Sequence, residues 1–256
     1  MMPIRNFLSC TEVLDGFESL SPTQRYHAKT YVTGLVAGRN KTVTGIAREV
    51  LPAKSDRALN KFLTEYDWDE QQLNHERLEE LQRHGETRWS QDGYVILDDT
   101  INQKAGDEVP GVGRFYDHAE GDTVWGQTIV YAFYADHKTA YPLTFRLYED
   151  NKRDESKYDL AREIREIREI VTELEKEGGV PADTYLFDSW FAHDSDPIGH
   201  LESYDTDWIG PLRSNRQVTD DQEEMRVDAL GKRIDTTERE IDDERYHGTA
   251  RLRRNR

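Results

Sequence analysis

Residues 93–100 read GYVILDDT, and the pattern of the chain changes at this point. The run of apolar and β-branched residues over 94–97 predicts a buried strand. Two carboxylates, Asp98 and Asp99, follow this strand directly. The stretch therefore predicts the start of a sheet whose first strand ends in acidic residues.

The sequence after this strand predicts two more strands, then a helix, and then alternating elements. The apolar residues of the first helix recur at steps of three and four, which gives it one apolar stripe. The predicted elements are strands over 123–135 and 141–148, a helix over 156–176, a strand over 185–187, a helix over 189–204 and a strand from 207. The order βββαβαβ predicts an α/β fold with one mixed sheet flanked by helices.

The sequence before Gly93 has a helical pattern instead. Ser21 and Pro22 form an N-cap followed by proline at the first helical position, and this helix is expected to end at Gly38. Further short helices are expected up to residue 83. We therefore divide the chain into an all-helical domain over 1–90, a sheet domain over 91–216 and a polar segment over 217–256.

Composition limits the possible classes. The net charge is −17, and the 26 Asp against 10 Lys are typical of a protein from a halophilic cytoplasm, although an ordinary acidic protein remains the alternative. The single cysteine, Cys10, excludes a disulfide framework and a cysteine-rich zinc site. The longest uncharged run, residues 123–135, is too short to cross a bilayer, so a soluble cytoplasmic protein without membrane contact is expected.

One segment departs from this acidity. Residues 21–65 carry a net charge of +5, whereas the whole chain carries −17. A basic segment in an acidic chain is a candidate nucleic-acid surface, and a solvated helical face is the alternative. The candidate DNA contacts in this segment are Arg39, Lys41 and Arg48.

Carboxylates that follow two strands suggest a metal site. Asp188 follows the strand over 185–187, as Asp98 and Asp99 follow the strand over 94–97. Mg²⁺ prefers oxygen ligands, and two such ions can serve phosphodiester cleavage. A single aspartate after a strand is more often a turn residue, but two in this order of elements favour a metal site.

Several stretches resemble the DDE-type transposases of insertion sequences, over roughly residues 15–245. The most specific are VILDDTINQKAG at 95–106, GRFY at 113–116 and WGQ at 125–127, and YLFDSWF at 185–191 is weaker. The resemblance implies an RNase H-like catalytic core after a helical DNA-binding domain. The acidic composition resembles that of a haloarchaeal member.

This resemblance implies an activity and its site. The activity would be metal-dependent DNA strand cleavage and transfer, with DNA as partner at terminal inverted repeats and at the target. Asp98, with Asp99 as the register alternative, matches the first catalytic and metal-binding aspartate, and Asp188 matches the second, with Mg²⁺ or Mn²⁺ as cofactor. Arg213 and Arg216 are candidate phosphate contacts, and a surface turn without DNA contact is the alternative. Four other motif residues have no role that the sequence reveals, namely Lys104, Arg114, Tyr116 and Gln127.

The family also has a third acid, a glutamate in a pattern like Y-x-x-R-W-x-I-E, and nothing after Asp188 matches it. Glu238, Glu240 and Glu244 lie in a charged stretch before the point where the helix of the third acid would begin. The resemblance implies that residues 217–256 are the start of an insertion segment with an aberrant C-terminal tail. We therefore expect a truncated, inactive transposase that pairs as a homodimer or with an intact transposase. The alternative is a DNA-binding remnant without catalysis that inhibits an intact enzyme. A haloacid-dehalogenase-type phosphatase is disfavoured because its two acids need one residue between them.

Overall fold

The structure is a computed structural model, and it describes most of the chain. The described residues are 3–106, 108–117, 120–147, 160–182, 184–188, 195–212, 214–220, 223–230, 239–241 and 244–246. The chain divides into two compact units, Met1–Arg88 and Trp89–Arg256. Each unit is described by itself below.

The described part of the first unit is built from helices. A 3₁₀ helix, Ser9–Gly16, precedes four α-helices. These are α1 (Pro22–Ala37), α2 (Val43–Glu49), α3 (Asp56–Thr64) and α4 (Glu70–Arg83).

Helix α1 begins and ends where the sequence predicts. Ser21 and Gln24 form a reciprocal capping box, and Pro22 occupies the first turn, where its missing N–H costs no hydrogen bond. At the other end the Gly38 N–H donates to the carbonyl of Gly34 at 2.9 Å. The predicted helix between Ser21 and Gly38 is confirmed.

The core of the first unit lies where α1, α2 and α3 meet. Its fully buried members are Ile46, Val50, Leu59 and Phe62. Gly34 allows the close approach of α1 to α2, because a Cβ at this position would lie 2.3 Å from Ile46.

A buried carboxylate holds the segment between the 3₁₀ helix and α1. Glu76 on α4 accepts hydrogen bonds from the backbone N–H groups of Glu18 at 2.8 Å and Ser19 at 3.0 Å. Burial alone would raise the pKa of Glu76, but the hydrogen bonds from Ser19 and Glu18 outweigh it and hold this pKa below its usual value. These hydrogen bonds connect helix α4 to the segment between the 3₁₀ helix and α1.

The described residues of the second unit form a mixed sheet with helices. The six strands of the sheet are β1 (Tyr94–Gln103), β2 (Gly113–Asp117), β3 (Asp122–Ala135), β4 (Ala140–Leu147), β5 (Thr184–Phe187) and β6 (Asp207–Ile209). Their order is β2-β3-β1-β5-β6, and β4 also pairs with β3. Strand β1 pairs antiparallel with β3 and parallel with β5, so it lies at the centre of the sheet.

Two features of this sheet correct the sequence predictions. Strand β2 adds a fourth strand before the first long helix, so the order is ββββαβαβ rather than βββαβαβ. Strand β1 also continues to Gln103 instead of ending before Asp98, because the long β3 offers a register partner to every residue from Tyr94 to Gln103.

One face of the sheet is buried and contacts helix α5 (Leu160–Glu173). Ile167 and Ile170 of α5 are almost fully buried, as are Val130 and Ala132 of β3. The helix continues into one turn of π-helix, Leu174–Gly178, and within this turn Glu175 accepts a hydrogen bond from the Tyr185 hydroxyl at 2.6 Å. The helix predicted over 156–176 corresponds to these elements, and residues 156–159 lie outside the described part of the chain.

The remaining elements are short. Helix α6 (Ser195–Glu202) lies between β5 and β6. After β6 come the hairpin of β7 (Gln217–Asp220) and β8 (Glu223–Arg226), helix α7 (Val227–Leu230), and the hairpin of β9 (Arg239–Ile241) and β10 (Glu244–Tyr246). Over the described residues, no helix has both the length and the apolar character that a bilayer crossing requires.

Candidate active site

The register of the central strands brings two aspartates to neighbouring positions. Leu97 of β1 and Phe187 of β5 are partners in the parallel ladder, and they are the last pair in it. Asp98 follows Leu97, and Asp188 follows Phe187. The two predicted catalytic aspartates therefore occupy equivalent positions directly after the last pair of the parallel ladder, with Asp98 inside β1 and Asp188 just beyond the end of β5.

The alternation of side chains separates Asp98 from Asp99. Successive residues of a strand point to opposite faces. Asp98 lies two residues after Ile96, which is half-buried, whereas Asp99 lies two residues after Leu97, which is buried in the core. Leu186 is the register partner of Ile96 and lies two residues before Asp188. This spacing favours Asp98 over Asp99 as the counterpart of Asp188.

Both oxygens of the Asp98 carboxylate accept a hydrogen bond. The Asp99 backbone N–H donates to Oδ1 at 3.0 Å, and the Tyr131 hydroxyl donates to Oδ2 at 2.8 Å. Burial of the phenol, followed by the hydrogen bond to Asp98 and the negative charges of Asp98 and Asp99, raises the pKa of Tyr131 to about 12. Tyr131 therefore remains a hydrogen-bond donor at neutral pH.

The carboxylate oxygens of Asp98 and Asp188 are of the chemical type that hard divalent cations bind. Each carboxylate oxygen has two lone pairs, so Asp98 can bind a cation while it keeps both of these hydrogen bonds. Asp188 is exposed and supplies a second carboxylate. The described residues contain no group of three or more His, Cys, Asp or Glu side chains placed to hold one ion. Asp98 and Asp188 thus carry oxygen donors of the type that Mg²⁺ and Mn²⁺ prefer.

The structure gives a role to one motif for which the sequence suggested none. The Trp125 indole N–H donates to the carbonyl of Gly106 at 3.0 Å, and the Gln127 amide donates to the carbonyl of Pro110 at 2.6 Å. The Lys104 N–H also donates to the Trp125 carbonyl at 2.9 Å. These bonds hold the loop between β1 and β2 against β3. Trp125 and Gln127 are therefore anchors of this loop.

Two other motif residues lie on the edge strand β2. Arg114 and Tyr116 both have exposed side chains, and their register partners on β3 are Trp125 and Thr123. Of the two arginines predicted to contact phosphate, Arg216 is half-buried just before β7, and Arg213 lies outside the described residues.

Most of the cationic side chains named below, from the basic segment of the first unit, contact partners within that unit. Lys41 donates to the carbonyls of Gly34 and Leu35 near the end of α1, where a cation also complements the helix dipole. Arg39 and Arg48 are exposed. Further cations with partners inside the unit are Arg25 on the carbonyls of Phe17 and Leu20, Lys29 on Asp15, Lys54 over the ring of Tyr26, and Lys61 on Glu65. The surface that this segment offers to a ligand is therefore smaller than its formal charge suggests.

Sequence reasoning missed Tyr131. This residue belongs to the predicted strand TVWGQTIVYAFYA, and nothing in the linear sequence distinguishes it from any other tyrosine in a strand. Its contact with Asp98 depends on the pairing of β1 with β3, in which Asp98 and Tyr131 are partners. Only knowledge of the register could have identified it.

Comparisons with known proteins bear on this site. A family model described as DDE superfamily endonuclease matches residues 13–240. Among curated proteins, no match to the sequence is found.

Solved structures give weaker similarities. Endonuclease V from Bacillus subtilis is 16% identical, with 72% of this chain and 73% of that chain covered and a TM-score of 0.27. The Mos1 transposase paired-end complex with left transposon end is 14% identical, with 76% of this chain covered and a TM-score of 0.27. This chain spans 60% of that Mos1 chain. Similarities at these scores carry no argument about function.

Proposed function

We propose that this chain, which belongs to the DDE superfamily endonuclease family, is an insertion-sequence transposase whose metal-binding carboxylates are Asp98 and Asp188. Its sheet unit is the RNase H-like catalytic core. Its helical unit binds the terminal inverted repeats of the element. The reaction is cleavage of the DNA strand at these ends, followed by joining to target DNA.

The observation that carries this proposal is the register of β1 and β5. Leu97 pairs with Phe187, so the aspartate after each residue lies at the same level of the sheet, just past the parallel ladder. Strand β1 is paired on both sides up to Leu97, and its ladder with β3 continues through Asp98, so the backbone at Asp98 is held in place. Two carboxylates, one on β1 and one directly after the adjacent β5, are suited to share divalent cations. When bound there, Mg²⁺ or Mn²⁺ supplies activation of the attacking oxygen and stabilisation of the leaving oxygen.

The residues of this chain have separate roles in the proposal. Asp98 and Asp188 bind the cation, and Asp99 lies on the opposite face of β1 and contributes no ligand. Arg39 and Arg48 are the proposed phosphate contacts of the helical unit. Lys41 contributes less to DNA binding, because its ammonium group is engaged at the end of α1.

A second candidate function follows from the number of carboxylates. Among the described residues there is no group of three or more His, Cys, Asp or Glu side chains that could hold one ion. Glu240 and Glu244 lie in the two-stranded sheet of β9 and β10, separate from the six-stranded sheet, and Glu238 is outside the described residues. This arrangement favours a chain that binds transposon ends without cutting them and competes with an intact transposase for the same ends.

The test measures metal binding, DNA binding and cleavage on the same purified chain in high salt. We expect Mn²⁺ binding that is weakened at least tenfold by Asp98→Asn or Asp188→Asn, with Asp99→Asn as the matched control that retains it. The transposase proposal predicts binding of the element's own ends together with metal-dependent nicking, whereas binding of the ends without nicking would favour the second candidate. Nicking that Asp188→Ala abolishes would refute the second candidate, and Glu238, Glu240 and Glu244 would then be the candidates for a third ligand. Mn²⁺ binding that is equal in all three asparagine variants would refute the assignment of the two aspartates.

A further inference from the structure

Tyr131 and Asp98 face each other across the antiparallel ladder of β1 and β3. They are register partners, and the Tyr131 hydroxyl donates to Asp98 Oδ2 at 2.8 Å. The other oxygen, Oδ1, accepts from the Asp99 N–H at 3.0 Å. With a donor on each oxygen, the carboxylate plane of Asp98 is fixed rather than free to rotate.

Tyr131 is itself held in place by its neighbours. Its ring lies 5.0 Å from that of Phe133, in an edge-to-face arrangement that aromatic pairs favour. Its strand is paired with β1 on one side and with β4 on the other, where Phe145 is its partner. A hydroxyl carried by a ring that is restrained in this way can orient a carboxylate.

The hydroxyl of Tyr131 makes no contribution to the packing of the buried core. The neighbouring residues Val130 and Ala132 are fully buried on the opposite face, and they supply the apolar packing of this part of β3. Tyr131 lies on the half-buried face, and a phenylalanine there would keep the ring while it removes the hydrogen bond. The function of the Tyr131 hydroxyl is therefore its hydrogen bond to Asp98, and the packing of the sheet does not require it.

We propose that Tyr131 is a positioning residue, which orients the Asp98 carboxylate so that its remaining lone pairs bind the divalent cation. This inference rests on the proposed function, because it takes Asp98 as a metal ligand. Outer partners that orient a metal-binding side chain commonly change the metal affinity by about 10–100-fold when they are removed. Tyr131 acts through Asp98 and makes no contact with the cation.

The experiment measures Mn²⁺ binding by electron paramagnetic resonance on the full chain and on Tyr131→Phe. We expect the dissociation constant to rise about tenfold in this variant, while the thermal midpoint changes little. Tyr134→Phe is the matched control. The Tyr134 hydroxyl also forms hydrogen bonds, with the Ser90 N–H at 2.6 Å and with Asp136 Oδ2 at 2.9 Å, but it contacts neither Asp98 nor Asp188 in these bonds. This variant should lose stability and keep the parental Mn²⁺ affinity.

Two results would overturn the proposal, and they have different meanings. If Tyr131→Phe binds Mn²⁺ like the parent while Asp98→Asn loses binding, the metal site stands and the positioning role of Tyr131 is wrong. If Asp98→Asn also binds like the parent, the metal site itself is wrong, and the role of Tyr131 fails with it. If Tyr131→Phe and Tyr134→Phe weaken binding equally, the effect of Tyr131 is a general loss of structure, which also contradicts the proposal.

Discussion

Leu97 and Phe187 are the last partners in the parallel ladder of β1 and β5, and an aspartate follows each of them. Because side chains alternate along a strand, a slip of one residue in this pairing would put the two carboxylates on opposite faces of the sheet. The buried side chains of Leu97 and Phe187 resist such a slip, since it would bring polar residues into the core. Apolar packing thus determines the alignment of the two acids.

The first prediction separates DNA contacts from structural cations in the helical unit. In the double variant Arg39→Ala/Arg48→Ala, we expect the slope of log K against log salt for DNA binding to fall by about two units, roughly one per lost phosphate contact. Both side chains are exposed, so stability should change by less than about 0.5 kcal/mol. Fluorescence anisotropy at several salt concentrations measures the slope.

Lys41→Met serves as the control for this pair. Its ammonium group donates to the carbonyls of Gly34 and Leu35, so its loss should lower the thermal midpoint and leave the salt slope nearly unchanged. An unchanged slope in the arginine double variant would instead show that this face is only solvated.

The second prediction concerns pH and His27. This side chain is only 3% exposed, and its ring centroid lies 5.5 Å from that of Phe62. Burial, followed by the positive charge of Lys54, lowers the pKa of His27 below its usual value. Below about pH 6.5 the unfolded chain then binds a proton more readily than the folded chain. The free energy of unfolding therefore decreases as the pH decreases, by at most about 1.4 kcal/mol per pH unit.

Hydrogen exchange of α1 from pH 7.5 to 5 measures this effect. His27→Gln should reduce the pH dependence of the opening free energy. His75→Gln, which removes an exposed histidine of the same unit, should leave the dependence caused by His27 in place. Equal pH dependence in the parent and in His27→Gln would contradict the prediction.

The third prediction is a gain in stability. The Thr128 side chain is fully buried, and its hydroxyl has no hydrogen-bond partner among the described residues. An unpaired buried polar group costs about 1–3 kcal/mol, so Thr128→Val should stabilise the sheet unit by about 1 kcal/mol. Urea unfolding followed by circular dichroism measures the change.

Thr144→Val is the matched control on the neighbouring strand. The Thr144 hydroxyl is also buried, but it accepts a hydrogen bond from Arg146 at 3.0 Å. This variant should be destabilised, and a gain of the same size in both variants would point to hydrophobicity alone.

The fourth prediction tests the loop anchor. Gln127→Ala removes the donor to the Pro110 carbonyl, so backbone amides over residues 104–112 should exchange faster. A net loss of about 1 kcal/mol corresponds to roughly fivefold faster exchange. Gln103→Ala changes an exposed glutamine at the end of β1 and should leave this loop as in the parent. Equal protection in both variants would contradict the anchoring role.

Local signals in the sequence predicted local structure well. Ser21, Pro22 and Gly38 predicted both ends of α1, because capping depends only on neighbouring residues. The strands around Asp98 and Asp188 were also found, since apolar runs mark buried strands. These are properties that a few adjacent residues carry.

Properties that depend on pairing could not be predicted in this way. Strand β2 is a five-residue edge strand after a glycine-rich loop, and only its partner β3 stabilises it. The extension of β1 past Asp98 has the same cause, because polar residues there continue the ladder with β3. The partner of Tyr131 and the engagement of Lys41 likewise follow from contacts that the linear pattern does not contain.

The central position of β1 also sets the order in which the site can assemble. Its antiparallel pairing with β3 joins segments that are close in sequence, whereas its parallel pairing joins Leu97 to Phe187, which lie 90 residues apart. Contacts between distant segments form slowly, because the entropy of closing the chain opposes them. During synthesis the strand that carries Asp98 can therefore pair with β3 well before β5 has left the ribosome. The two aspartates are aligned only when β5 joins the sheet, so a chain in which only β1 to β4 have folded holds no complete pair of acids.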